Sequence, residues 1–199
     1  MAPGHFTESL GTAMCRDIGD RLLEIGARSV QHAAGLLPVP AIDRGRENGL
    51  LLSPGASFVT LKREGALRGC IGSLEPTRPL AEDVSENAYA AACRDPRFPA
   101  LEKWEIPGLR LSVATLGTHE TLPVNTRETL LAILRPGIDG LVVRSGERRA
   151  TFLPAVWEQL PEPADFVDAL WLKAHLTPGT WPAQLQVSRY LVETVETHL

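Results

Sequence analysis

The sequence predicts an α+β fold in which helices flank a largely antiparallel sheet. Residues 57–74 and 139–153 each have the apolar alternation and central turn of a β-hairpin. Helical periodicity follows each hairpin, and a single strand-like run then closes each half, at residues 109–116 and 185–195. A parallel sheet would need a helix after almost every strand, so this order favours antiparallel pairing.

The first predicted helix covers residues 15–34. Apolar residues recur there at helical spacing, and Gly35 follows where a helix would end. Residues 37–55 are rich in proline and glycine, which predicts a long connection with a short apolar segment at residues 50–52.

The first hairpin has strands at residues 57–63 and 67–74, joined by a turn at Glu64 and Gly65. A helix over residues 79–94 follows, and Pro96 ends it because proline cannot continue a helix.

The second half begins with a short helix over residues 126–134, capped by Thr126. Its later elements are strands, helices and a closing strand, at residues 139–144, 149–153, 154–160, 164–176 and 185–195.

The recurring order of hairpin, helix and lone strand predicts a structural duplication. Its first repeat covers about residues 57–116 and its second about residues 139–195. We expect one domain over residues 1–199, either as a single body or as two lobes with a cleft between them, where pockets commonly form.

Composition excludes several classes of protein. A net charge of −4 argues against nucleic acid as a partner, because phosphate binding needs clustered basic residues. The three cysteines form no CxxC pair, so neither a disulfide framework nor a metal site is indicated, and no cofactor is expected. Without an apolar leader or a membrane-spanning run, the sequence predicts a soluble, cytoplasmic protein with no membrane partner.

Residues 67–72, Leu-Arg-Gly-Cys-Ile-Gly, are the most informative motif. Gly69 and Gly72 permit positive φ and close approach of another group, and Arg68 can bind an anion and favour the thiolate form of Cys70. Strand alternation would place Arg68 and Cys70 on one face. The alternative is that Cys70 is a small buried core residue, as free cysteines commonly are.

A second constellation is the Asp-Pro-Arg-Phe-Pro segment at residues 95–99. Asp95 can orient Arg68 or Arg97, and Arg97 adds a bidentate donor for a carboxylate or phosphate. Phe98 is the aromatic residue that we place at the site. The alternative is a helix stop with a local Asp and Arg pair.

A cysteine hydrolase also needs a base, and no histidine is placed for that role by its position in the sequence. His119 and Glu120, in a loop after a strand, are the best remaining proton-transfer candidates, and Asp139 precedes the second hairpin. Most such residues are simply solvated.

The sequence closely resembles the AMMECR domain family over nearly its whole length, and bacterial and archaeal members of that family are called AmmeMemoRadiSam system protein A. The resemblance lies in the two motifs above and in further segments: Pro79-Leu80, Gly137-Ile138-Asp139-Gly140-Leu141, Leu153-Pro154 and Lys173-Ala174. Departures are Ala155 where glutamine is frequent, His175 where glycine is usual and Ala100 in place of a second proline.

This resemblance implies two β-rich repeats around a barrel-like sheet, with a cleft lined by the six-residue motif. It also implies association with a Memo-like protein and a radical S-adenosylmethionine protein, but it names no substrate.

Two functional hypotheses follow. The first is an enzyme or enzyme component acting on a small anionic or peptide-like substrate. Its predicted catalytic residues are Cys70, Arg68, Asp95 and Glu120, and its predicted substrate-binding residues are Gly69, Gly72, Arg97 and Phe98. The second is a non-catalytic binding or adaptor module that uses the same cleft.

Overall fold

A computed structural model describes residues 6–45, 47 and 49–199, with side chains from residue 17 onward, so the Cys15 thiol lies outside the described side chains. Two compact units are present, residues 1–115 with 194–199 and residues 116–193. Over the described residues there are five α-helices and two antiparallel sheets, which confirms the α+β class.

The first unit contains a five-stranded sheet. Its elements are α1 (Phe6–Ala33), α2 (Gly49–Leu52), β1 (Pro54–Arg63), β2 (Ala66–Gly72), β3 (Arg78–Pro79), α3 (Leu80–Cys93), β4 (Leu109–Leu116) and most of β9 (Val192–His198). The strand order is β2–β1–β4–β9, and β3 pairs with the beginning of β1.

The core of this unit lies on one face of its sheet, where α1 and α3 pack. Strand β1 alternates as a half-buried strand should, with Val59 and Leu61 fully buried and Phe58 and Thr60 half-buried. Ala88 of α3 lies in the same core, so this face is filled by small and branched apolar residues.

The second unit contains a four-stranded sheet. Its elements are β5 (Glu120–Thr121), α4 (Arg127–Ile133), β6 (Gly140–Ser145), β7 (Arg148–Phe152), α5 (Pro163–Lys173) and β8 (Gln186–Tyr190), and its strand order is β5–β8–β6–β7. The Trp157 and Phe166 rings stack 3.8 Å apart in its core. Thr126 caps α4 as expected, accepting from the Thr129 amide.

Several predicted elements need correction. The described strands do not close into a barrel. In the described residues they form two separate sheets, and the two end strands of each sheet do not pair with each other. The predicted closing strand over residues 185–195 is two strands, β8 and β9, which belong to different sheets. No glycine or proline marks the break at Leu191, so the continuous alternation hid it.

Smaller differences concern short or irregular elements. The predicted helix at residues 154–160 is a 3-10 helix over Pro154–Glu158, and Pro161 follows three residues after its end. Strands β3 and β5 have two residues each and were not predicted, since alternation cannot be detected at that length. Helix α1 begins at Phe6, earlier than its apolar periodicity indicates. No helix in the described ranges is long and apolar enough to cross a membrane.

Candidate active site

Cys70 lies on the face of the first sheet that points away from α1 and α3. Its cross-strand partner is Thr60, and paired residues on adjacent strands share a face. That face is half-buried, whereas the neighbouring Val59 and Ile71 belong to the apolar core on the other side. Cys70 is itself half-buried and lies outside the core cluster of the described residues.

The backbone of Cys70 is held on both sides by the turn that follows α3. The Cys70 amide donates to Asp95 Oδ2 at 2.8 Å, and Arg97 Nη2 donates to the Cys70 carbonyl at 3.1 Å. Arg97 also binds both carboxylate oxygens of Asp95, at 2.9 and 2.7 Å. We call this closed arrangement of Cys70, Asp95 and Arg97 the peptide clamp.

The local sequence explains the clamp. Pro96 ends α3 and starts a turn in which the Phe98 amide donates to the Asp95 carbonyl at 3.1 Å. Within that turn Asp95 Oδ1 also accepts from the Arg97 amide at 3.1 Å, as aspartate commonly does two residues ahead of an amide. Asp95 is therefore buried and fixed, while the Arg97 side chain stays 53% exposed.

The clamp sets the charge state of its two ionisable side chains. Hydrogen bonds from the Arg97 guanidinium lower the pKa of Asp95 far below its usual range, and the amides of Cys70 and Arg97 add to this against the opposing effect of burial. The hydrogen bond to Asp95 in turn raises the pKa of Arg97. Asp95 is thus a permanent carboxylate at neutral pH and a poor proton acceptor.

Of the two arginines that Asp95 could orient, Arg68 has another partner. A β-bulge places it between the pairs Leu61–Gly69 and Lys62–Leu67, so strand alternation is interrupted at this residue. Its Nε and Nη2 bind the two carboxylate oxygens of Glu105 at 2.7 and 2.9 Å.

Its Nη1 donates to the Pro99 carbonyl at 3.0 Å. The pKa of Arg68 is raised by its hydrogen bonds to Glu105, and those bonds lower the pKa of Glu105. Every nitrogen of the Arg68 guanidinium thus has a protein partner, and Asp95 orients Arg97 rather than Arg68.

The two glycines of the motif permit close packing instead of a positive φ. A Cβ at Gly69 would lie 2.1 Å from the Ala91 carbonyl oxygen of α3, and one at Gly72 would lie 2.3 Å from the Phe58 ring. Neither glycine is among the described residues with positive φ. The expected close approach is therefore present, and the groups that approach are a helix backbone and an aromatic ring.

Phe98 lies beside both arginines of the site and is half-buried. Its ring centroid is 5.9 Å from the Arg68 guanidinium carbon and 5.6 Å from that of Arg97, within the range of a cation–π contact.

The remaining predicted residues belong to the second unit. Glu120 is on β5, where Arg189 binds both of its carboxylate oxygens at 2.8 and 3.1 Å. The His119 ring lies 5.1 Å from the ring of Tyr190. Asp139 is fully buried and is held by Arg135. No described group of three or more histidine, cysteine, aspartate and glutamate residues is arranged to hold a metal ion.

A buried carboxylate at the start of α3 was not predicted from the sequence. Asp83 is fully buried and accepts from Ser57 and Ser73 hydroxyls at 2.7 Å and from Arg78 and Asn87 nitrogens at 2.9 Å. We call these five residues the Asp83 network. Asp83 and Asn87 lie one helical turn apart, so their spacing was the available signal.

The AMMECR1 family model matches residues 24–195, a span that includes both motifs, all of the second unit and most of the first. The chain belongs to the AMMECR1 family. The match covers most of the chain, in agreement with the resemblance carried by residues 67–72 and 95–99.

Similar proteins of this family occur in archaea. A protein of Sulfolobus acidocaldarius is 34% identical over 171 residues, which cover 83% of this chain and 74% of that protein. A Methanothermobacter thermautotrophicus protein is 38% identical over 122 residues, covering 61% of this chain but only 64% of that relative. The crystal structure of the uncharacterised protein PH0010 from Pyrococcus horikoshii superposes with a TM-score of 0.77 at 28% identity, covering 89% of this chain and 90% of that one. These relatives support the AMMECR1 fold and specify no reaction.

Proposed function

We propose that this AMMECR1-family chain is an enzyme or enzyme component in which Cys70 is the nucleophile or covalent carrier. Its substrate is a small anionic or peptide-like molecule, and it acts in a pathway with a Memo-like protein and a radical S-adenosylmethionine protein. The observation that carries the proposal is the peptide clamp, which immobilises the backbone of a half-buried cysteine on the face opposite the core.

A purely structural cysteine does not need such an arrangement. A core thiol is held by apolar packing, whereas the Cys70 peptide is held by two charged side chains. Fixing a reacting atom lowers the entropic part of an activation barrier, so an immobilised nucleophile suits covalent catalysis.

Arg97 is the best candidate for binding the anionic group of the substrate. Its side chain is half-exposed, while Asp95 fixes the direction of its guanidinium. Arg68 is less suited because its nitrogens already have partners, and we assign it, with Glu105, to holding the segment that carries Phe98. Gly69 and Gly72 serve the site by permitting the close packing around the strand.

In the covalent step the Cys70 thiolate forms a bond to an electrophilic carbon of the substrate. The bond from that carbon to its leaving group breaks, and the leaving group departs with the electron pair. The thiol proton goes to solvent.

The test is the alkylation rate of each thiol by iodoacetamide between pH 5 and 10, resolved by mass spectrometry. We expect Cys70 to react several-fold faster at pH 7 than Cys93, whose sulfur donates to the Tyr89 carbonyl within α3 and which serves as an internal control. A Cys70 that reacts no faster than Cys93 at neutral pH contradicts a nucleophilic role.

One observation favours a second candidate function, a binding module without chemistry. Asp95 is the carboxylate that contacts Cys70, and its lowered pKa makes it unsuitable as a base. In this function the site is a rigid groove for a ligand or a partner segment.

The variant Cys70→Ser discriminates these two functions. For the enzyme we expect it to bind the Memo-like and radical proteins as the unmodified protein does in a pull-down, but to fail to complement a deletion strain. If the variant loses both binding and complementation, the protein is the binding module. Cys93→Ser is the matched control, and it should change neither result.

A further inference from the structure

Thr60 is the side chain on β1 that stands directly opposite Cys70. Its Oγ1 lies 3.4 Å from Cys70 Sγ, within hydrogen-bonding range for sulfur. In the described part of the chain, the sulfur is the one hydrogen-bond partner of this hydroxyl. The hydroxyl is therefore not shared with a backbone carbonyl, as threonine hydroxyls frequently are.

The bulge at Arg68 creates this pairing. The turn at Glu64 and Gly65 pairs Arg63 with Ala66, and regular counting from there would put Gly69 opposite Thr60. Because the bulge adds one residue to β2, Thr60 faces Cys70 instead. The irregularity that turns Arg68 towards Glu105 thus also supplies the thiol with a hydroxyl.

The register also brings the two side chains close together. In an antiparallel pair, residues whose amides and carbonyls point away from the partner strand have the shorter Cα separation. The Cys70 amide and carbonyl point to Asp95 and Arg97, so Thr60 and Cys70 form such a pair. On the same face, the next pair along the two strands is Phe58 and Gly72, and the Phe58 ring lies over Gly72.

The hydrogen bond must become stronger when the thiol ionises. In the neutral form either group can donate, but a thiolate only accepts, so the Thr60 hydroxyl then donates to a full negative charge. Ionisation releases the Cys70 proton to solvent, while Thr60 keeps its own. We propose that Thr60 is a positioning residue that stabilises the thiolate of Cys70 and fixes its direction, an inference that rests on the function proposed for Cys70.

Thr60→Val tests this role because valine keeps the β-branched shape and removes only the hydroxyl. We expect the pH midpoint of Cys70 alkylation to rise by about one unit, since a hydrogen bond to a charged group is lost. The rate at pH 7 should fall about threefold, because the more basic thiolate is less abundant but more nucleophilic. Thr60→Ser keeps the donor and should stay close to the unmodified protein. The alkylation rate of Cys93 should be the same in all three.

An unchanged midpoint in Thr60→Val overturns the inference. A shift in Thr60→Ser as large as that in Thr60→Val also overturns it, because serine keeps the hydroxyl and such a shift cannot come from loss of the donor. These results compare Cys70 with itself across variants, so they are independent of whether Cys70 outreacts Cys93 in the unmodified protein. A Cys70 that reacts no faster than Cys93 in the unmodified protein contradicts the proposed function instead.

Discussion

At the scale of single residues, Asp95 is the residue whose hydrogen bonds hold the peptide clamp together. Its carboxylate accepts from the amides of Cys70 and Arg97 and from the Arg97 guanidinium. One buried anion therefore fixes the turn after α3, the direction of a half-exposed cation and the peptide unit of the cysteine. Its lowered pKa links this geometry to the pH dependence of stability.

Asp95→Asn should weaken the acid dependence of folding. The pKa of Asp95 is lower in the folded protein than in the unfolded chain, where it is about 3.9, so its carboxylate stabilises the fold above that pH. This stability is lost as the pH falls through the folded-state value. One proton changes the free energy of unfolding by up to about 1.4 kcal/mol per pH unit, and the asparagine variant should lack that contribution between about pH 4 and pH 2.

Urea unfolding at a series of pH values between 2 and 7 measures this difference. The asparagine variant should also be less stable at pH 7, where the carboxylate is fully ionised in both states. Glu86→Gln is the control, because Glu86 forms an exposed pair with Arg94 and such pairs contribute little. If the free energy of unfolding of Asp95→Asn depends on acid pH as that of the unmodified protein does, the clamp does not control this dependence.

The sequence offered the pairing of Asp95 with Arg97 as one of two alternatives, but it did not indicate the partner of Arg68. Cys70, Asp95 and Arg97 were selected together from two motifs, and they are in contact. Glu105, the partner of Arg68, is 37 residues away from it in the chain and has no motif of its own. Long-range partners of this kind depend on tertiary packing, which local patterns do not encode.

At the scale of secondary-structure elements, the Asp83 network joins α3 to three extended segments. Its donors come from β1 through Ser57, from the end of β2 through Ser73 and from β3 through Arg78. Asn87 adds a donor from the next turn of the helix. A buried carboxylate is tolerated only when it is satisfied in this way.

Asp83→Ala should therefore strongly destabilise the first unit. Removing the shared acceptor leaves the buried Ser57 hydroxyl without its acceptor and breaks the ion pair with Arg78, so we expect a loss of roughly 3 kcal/mol or more in the free energy of unfolding. Urea unfolding followed by circular dichroism measures the loss. Glu82→Gln is a matched control at the adjacent position, because its partner Arg44 is mostly exposed, and it should change stability by less than about 0.5 kcal/mol.

A loss in Asp83→Ala no larger than in the Glu82 control would mean that the network does not hold these elements together.

Element types were predicted better than their pairing. The long helices and both hairpins follow from periodicity and turn residues, because those signals are local. The bulge at Arg68 and the change of sheet at Leu191 are set by which strand lies alongside, so alternation alone could not reveal them. The bulge at Arg68 determines that Thr60 is the residue opposite Cys70.

At the scale of the whole molecule, the order of the elements was sufficient for the fold class, whereas the family was indicated by the motifs at residues 67–72 and 95–99. The two apolar clusters lie in separate units, each with its own sheet and helices. The proposed duplication of residues 57–116 and 139–195 stays a prediction, as does the association with a Memo-like and a radical protein. Which substrate binds depends on the shape and charge of a binding site that is formed by residues distant in the chain. Neither property can be derived from local sequence patterns.

The peptide clamp has one more consequence, which concerns solubility. Strand β2 is the last strand of its sheet, and an unpaired strand edge is a template on which another chain can add a strand and begin to aggregate. At Cys70 the amide and carbonyl that would form this template are occupied by Asp95 and Arg97. The same two side chains that immobilise the cysteine therefore protect this edge against intermolecular β-pairing.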